Sequence, residues 1–287
     1  MTENINRSYY SIRTGKNPLS THLDLESIRP LFKVIYQSFD QKGYFQEAFG
    51  YDCVDMGSVS GNLGTDIGSQ LFLILRKKNL WPFLKKCLEY SEDDLFDIIE
   101  FLFDNVSKPI DGYNHEYSGC GWHYSSFDKK SGQKEFIDAI NRLFKNYQEG
   151  YELSDEGEIL ALAEDGLETL LKADLPVYNP ANIEDRIASA IKKFRRHRSS
   201  PDDRRDAIRD LADVLEFIRP EASKVISTKD ENDLFNLANN FGIRHHNDLQ
   251  KNDYDKNIWL SWMFYYYLST IHASIRLIKK SQEKTDK

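Results

Sequence analysis

The chain is poor in cysteine: Cys53, Cys87 and Cys120 are the three in 287 residues. Three scattered thiols cannot form the paired framework that staples small secreted domains, which points to a reducing compartment. Phosphate-cradling loops are also missing. Gly57, Gly61, Gly64 and Gly68 have the wrong spacing for GxGxxG, and no GK[ST] follows them, which argues against an ATPase or a dehydrogenase. There is no GxSxG element for a nucleophilic serine, and no carboxylate pair stands above the acidic background. The opening residues, MTENINRSYY, hold no apolar core of a signal peptide. One stretch, Asn257 to Ile275, lacks Asp, Glu, Lys and Arg. It contains Ser261, Ser269, Thr270, His272 and Ser274, however, which would be costly at a bilayer centre. The expectation is a cytoplasmic, soluble protein with no membrane contact and no cofactor.

What is present is apolar and aromatic material, 40% hydrophobic residues with 16 Tyr and 17 Phe, enough for packed cores over most of the length. The formal net charge of -8 argues against a generally polycationic nucleic-acid binder. It is unevenly spread. Residues 1–177 hold 18 basic and 29 acidic side chains, and residues 178–287 hold 20 basic and 17 acidic, so an acidic N-terminal part precedes a mildly basic one.

Periodicity predicts a mainly α protein. Leu25, Ile28, Phe32, Ile35 and Phe39 recur at helical spacing, with Pro30 tolerable only near the first turn. Ser91 to Asp94 is a cap with acids at a helix start, followed by Leu95, Ile98, Ile99, Leu102 and Val106. Phe136, Ile140, Leu143, Phe144 and Tyr147 mark another helix. Tyr151 to Leu162, with its Asp155-Glu156-Gly157 turn, reads as a small β-hairpin. Pro176 and Pro180 place a boundary within Ala173 to Pro180. The expected domains are therefore 1–175, α-rich with a hairpin near 150–162, and 176–287, an up-down helical bundle. Its four helices carry Ile183 to Phe194, Ser200 to Ile218 with a kink or restart at Pro220, Thr228 to Phe241, and Lys256 to about Lys280.

The densest polar cluster is Asn239-Asn240-Phe241-Gly242-Ile243-Arg244-His245-His246-Asn247. Arginine supplies a permanent cation with a planar fork suited to phosphate oxygens, and histidine exchanges protons near neutral pH. These groups meet the needs of metal-free cleavage of an RNA phosphodiester by its own 2′-hydroxyl. The alternative is a helix end, terminated by Gly242, where Arg and His offset the dipole. His272 and Arg276 share a face of the last helix by their i, i+4 spacing; they could join the cluster or sit at the core edge. Lys192, Lys193, Arg195, Arg196 and Arg198 form the densest basic stretch, an RNA footprint or a solvated helix end. His115 to His123 places His115, Cys120 and His123 within nine residues. Zinc accepts all three types, but a structural site needs four ligands and no CxxC pair is present. The expectation there is an aromatic-rich packed loop without metal; a metal-dependent enzyme is the weaker reading.

With its Arg-His element, Trp259 and the aromatic run Trp262 to Tyr267, the C-terminal part resembles the HEPN superfamily, and in particular the HEPN-type domains of bacterial abortive-infection proteins. Residues 7–175, including Arg13-Thr14-Gly15-Lys16 and the Tyr151 to Leu162 hairpin, more weakly resemble the accessory domains of the AbiJ-like group. The resemblance implies a homodimeric all-α module, often a metal-independent endoribonuclease acting as a toxin in antiphage defence. Arg244 and His245 match the first two positions of the family motif. Its distal His would fall where the chain has Leu249, Gln250 and Lys251. Two readings follow. In the first, Arg244 binds the scissile phosphate of an RNA, tRNA included, and His246 is the general acid or base. His245 or Asn247 positions it, with His272 in reserve. The acidic N-terminal domain is then a sensor of a phage or host trigger, or a restraint that meets the basic helix end around Arg195 to Arg198. In the second, the bundle is a non-catalytic module for dimerisation or for binding RNA or a nucleotide.

Overall fold

The computed structural model describes residues 9–16, 22–148, 150–163, 166–176, 178–179, 183–226 and 255–285. The chain divides into two units, Met1–Ile159 and Leu160–Lys287. The first contains α1 (Tyr10–Arg13), α2 (Leu25–Gln41), α3 (Gln46–Phe49), β1 (Tyr51–Cys53), β2 (Gly57–Val59), α4 (Ile67–Leu75) and α5 (Phe83–Lys86). It continues with α6 (Glu92–Asn105), β3 (Lys108–His115), β4 (Gly121–Asp128), α7 (Lys129–Phe144) and β5 (Tyr151–Leu153). The division falls inside β6 (Ile159–Ala161). The second unit holds α8 (Glu168–Leu171), α9 (Asp185–Arg195), α10 (Pro201–Ala222) and α11 (Lys256–Thr285). The architecture is mainly α, as periodicity predicts, and the described strands form three two-stranded sheets, β1-β2, β3-β4 and β5-β6.

Local chemistry accounts for the helix ends. Asp24 accepts from the Ser27 N–H at 2.9 Å and opens α2. The helix runs on through Pro30, which is a departure from the first-turn expectation. The missing N–H leaves the Glu26 carbonyl without its helical partner, and since both residues are exposed, water can take that place. Ser91 and Asp94 make a reciprocal capping box at α6, and Ser200 and Asp203 make another at α10 behind Pro201. Pro220 does not restart α10; it lies in the last turn, and the helix continues to Ala222.

In the first unit α2, α6 and α7 contribute fully buried Ile28, Phe32, Leu95, Ile98, Ile99, Leu102, Phe136, Ile140 and Phe144. The predicted hairpin docks beside them through specific bonds. Asn141 of α7 brackets Leu153, accepting from its N–H at 2.7 Å and donating to its carbonyl at 3.1 Å. Its turn needs glycine: Gly157 has φ +85°, and a Cβ there would lie 2.2 Å from the Phe103 ring.

The second unit is a bundle of α9, α10 and α11 about one apolar core. Ile187, Ala190 and Phe194 face Ile208, Leu211, Leu215 and Ile218, and both rows meet Leu260, Phe264, Leu268, Ile271 and Ile275. Phe194 stacks on Phe264 with ring centroids 4.0 Å apart. The stretch Asn257 to Ile275 thus forms a core helix of the bundle, and among the described residues no helix is long and apolar enough to cross a membrane. The helix expected from Thr228 to Phe241 lies outside the described residues.

Candidate functional site

Arg244, His245, His246 and Asn247 lie outside the described residues, on the stretch joining α10 to α11. The other predicted site residues are placed. His272 is buried on α11 with 7% of its surface exposed, and Arg276, one turn on, donates to the Asp174 carbonyl at 3.3 Å. Burial first, and the Arg276 charge second, hold the His272 imidazole below its ordinary value of 6.5. A proton is therefore bound more readily by the unfolded chain, so stability rises with pH across this range. The neutral ring has no effect above about pH 6.5; below it, stability is lost until the folded state also titrates. Thermal unfolding midpoints of the wild type should fall from pH 7.5 to 5.5 more steeply than those of His272→Gln. Parallel slopes would show that His272 does not carry this dependence.

The basic stretch is partly absorbed by the bundle. Lys193 forms an ion pair with Asp210 at 2.5 Å. Arg195 is buried and its Nε donates to the Ala161 carbonyl at 2.9 Å. Of the five predicted RNA-binding cations, Arg195 is buried, Lys192 and Lys193 are half-buried, and Arg196 and Arg198 are exposed. Arg204, just beyond the run, lies over the Phe194 ring at 5.3 Å, a cation–π contact on the outside of the aromatic stack. The sequence showed the charges but not these partners, because each is brought by a different element.

In the N-terminal unit His115 to His123, expected to be a packed aromatic loop, is the tip of the antiparallel β3-β4 hairpin, with a 3-10 turn at Tyr117–Gly119. β3 and β4 pair Tyr113 with His123, Asn114 with Trp122 and His115 with Gly121. Strand alternation puts Tyr113 and His115 on one face, and the cross-strand partner His123 joins them there. The pairing leaves no room for a side chain at position 112, where a Cβ would meet the His123 carbonyl oxygen at 2.3 Å. Gln46 of α3 holds β4 from outside, donating to the Trp122 carbonyl at 2.9 Å and accepting from the Tyr124 N–H at 3.1 Å. The second hairpin, β1-β2, pairs Cys53 with Gly57 across a three-residue loop, and Gly57 takes the positive φ, +71°, common beside such loops.

These hairpins bring together four side chains. Cys53, His115, Cys120 and His123 each turn one ligand-type atom inward, and all four atoms lie within 4.8 Å of one another. Cys120 Sγ is 3.2 Å from His123 Nε2, and Cys53 Sγ is 3.7 Å from His115 Nδ1. The remaining ring nitrogens are occupied elsewhere: His115 Nε2 lies 3.2 Å from the Asp55 carboxylate, and His123 Nδ1 lies 3.0 Å from the Tyr113 hydroxyl. The Tyr51 ring stacks on His123 at 4.2 Å between centroids. Cysteines 53, 87 and 120 are all free thiols. Sequence spacing pointed to His115, Cys120 and His123 but missed Cys53, which is 62 positions from His115 and joins the group only through β1-β2.

The chain matches no protein-family model, no curated protein and no solved structure.

Proposed function

We propose that the chain is an abortive-infection protein of the HEPN type, whose C-terminal bundle is a metal-independent endoribonuclease and whose N-terminal unit is its accessory or sensor domain. The observation that supports this reading best is the packing of α9, α10 and α11 about one apolar core. The sequence places Arg244, His245, His246 and Asn247 between the two longest of those helices, just after the helix that periodicity predicts from Thr228 to Phe241. Arg244 binds the scissile phosphate and stabilises the phosphorane, and His246 moves the proton. His272, buried and held neutral, is left with a packing role. The exposed Arg196 and Arg198 supply a confined RNA contact rather than a broad basic face.

The test is incubation of total RNA or tRNA with purified full-length protein, without magnesium and with EDTA present during the assay. The wild type should cleave. Arg244→Ala should lose roughly 10²–10³-fold, the usual effect of removing one donor to a developing oxyanion, and His246→Ala should lose roughly 10²–10⁴-fold. A second reading, a non-catalytic dimerisation module, is favoured by Ile258, Trp259 and Trp262, which are exposed at the start of α11, and by Leu249, Gln250 and Lys251 standing where the distal His belongs. An inert wild type that sediments as a dimer would select it.

A further inference from the structure

We propose that the N-terminal unit binds one zinc ion through Cys53, His115, Cys120 and His123, and that this zinc joins the tips of the β1-β2 and β3-β4 hairpins. The first ground is the donor set. Two thiols and two imidazoles are the soft and borderline ligands zinc prefers in tetrahedral sites. Zn–S near 2.3 Å and Zn–N near 2.0–2.1 Å, at a tetrahedral angle, put sulfur and nitrogen about 3.6 Å apart. The two separations in the structure, 3.2 and 3.7 Å, bracket that value.

The second ground is independent of the first and lies behind the histidines. A metal-bound imidazole donates its other N–H to an oxygen, which fixes the ring and its tautomer. Here Asp55 takes the Nε2 side of His115, and the Tyr113 hydroxyl takes the Nδ1 side of His123. Assigned from these partners, the tautomers leave His115 Nδ1 and His123 Nε2 as the lone-pair atoms. These are the same two nitrogens that face the cysteine sulfurs. One histidine points inward by its δ nitrogen and the other by its ε nitrogen, and in each case the oxygen partner selects the correct one.

The chemistry balances simply. Zinc displaces one proton from each thiol, so two thiolates neutralise the ion and two protons go to solvent. Four protein ligands fill the tetrahedron and leave no position for a water molecule, so the site is structural and not hydrolytic. This sets aside an enzyme that works through His115, Cys120 and His123. The physical need is evident in the elements themselves. β1 and β2 are three residues each, and isolated two-stranded hairpins are marginal in water. A metal crosslink between residues far apart in sequence removes unfolded-state entropy that such hairpins cannot offset alone. β4 is in turn clamped to α3 by Gln46, so the zinc ties both hairpin tips to the helical body.

The test is the metal content of the full-length protein, purified without chelator under reducing conditions and with any affinity tag removed. Elemental analysis should find one zinc per chain. Replacement by Co2+ should give the visible bands of tetrahedral cobalt with thiolate-to-metal charge transfer. Cys53→Ser and Cys120→Ser should each lose the zinc, whereas Cys87→Ser, which alters the one buried thiol outside the cluster, should keep it. Should the ligand variants fail to fold, wild type and Cys87→Ser still decide. The proposal is overturned by a wild type that neither contains zinc nor takes up an added equivalent. It is equally overturned by iron or copper in its place, by a Cys53–Cys120 disulfide (a mass lower by two hydrogens), or by zinc retained in the Cys53→Ser/Cys120→Ser double variant. None of these measurements involves RNA, so they stand or fall apart from the ribonuclease reading.

Discussion

Removing the zinc with a strong chelator should accelerate amide hydrogen exchange in residues 51–59 and 108–128 by at least about a hundredfold, equivalent to about 2.7 kcal/mol of local stability. Exchange in α10 and α11 should stay as it was. The localisation follows from the geometry. Cys53 ends β1, His115 ends β3, Cys120 sits between β3 and β4, and His123 lies in β4, so all four ligands belong to the two hairpins. Structural zinc contributes its binding free energy directly to folding, and short hairpins have little else to draw on. The helices of the bundle bury their own apolar rows and have no ligand in the cluster. Mass-spectrometric exchange of intact and chelated protein reads the difference peptide by peptide. Equal acceleration in both units would show a global effect instead, and no change would show that the hairpins hold without metal.

The second large effect belongs to the bundle. Phe264→Ala should cost about 3–5 kcal/mol, the usual range for deleting a fully buried aromatic ring. Phe264 has no exposed surface, and it stacks on Phe194 at an interplanar angle of 11°. Its loss removes apolar burial, leaves a cavity at the junction of α9, α10 and α11, and uncovers one face of the Phe194 ring, over which Arg204 also lies. Trp262→Ala, two residues earlier on a side with 41% of the tryptophan exposed, should cost much less. Urea unfolding followed by far-UV circular dichroism compares the two midpoints. A Phe264 variant as stable as the Trp262 variant would mean that the stack is not central to the core.

The helical framework was legible because its signals are local. Ser91 and Asp94, or Ser200 and Asp203, are three residues apart, so a capping box can be read within one turn. The rows from Leu95 to Leu102 and from Phe136 to Phe144 recur at the helical period whatever they pack against. The hairpin at Tyr151 to Ala161 was legible for a similar reason, since its turn residues lie between two short apolar runs. Pro220 does not restart α10 because one proline removes a single helical bond, here to the Glu216 carbonyl, and Ile218 and Ala222 on either side of it stay packed in the core. The strands β1 to β4 gave no comparable signal. Their segments mix glycine, histidine, asparagine and serine, and only pairing and the support of α3 make them strands.

What sequence alone determined, then, is the mainly α character, the longer described helices α2, α6, α7, α9, α10 and α11, the acidic and basic halves and the Arg244 to Asn247 cluster, each carried by neighbouring residues. Tertiary structure decided which charges are available and which ligands meet. Lys193 acquires Asp210 and Arg195 acquires the Ala161 carbonyl only when separate elements pack, and a charge run cannot announce partners that lie elsewhere in the chain. Cys53 likewise reads as a lone thiol until two hairpins carry it to His115, Cys120 and His123. Coordination depends on distances of a few ångströms between side chains, and for residues far apart in sequence only the fold sets them.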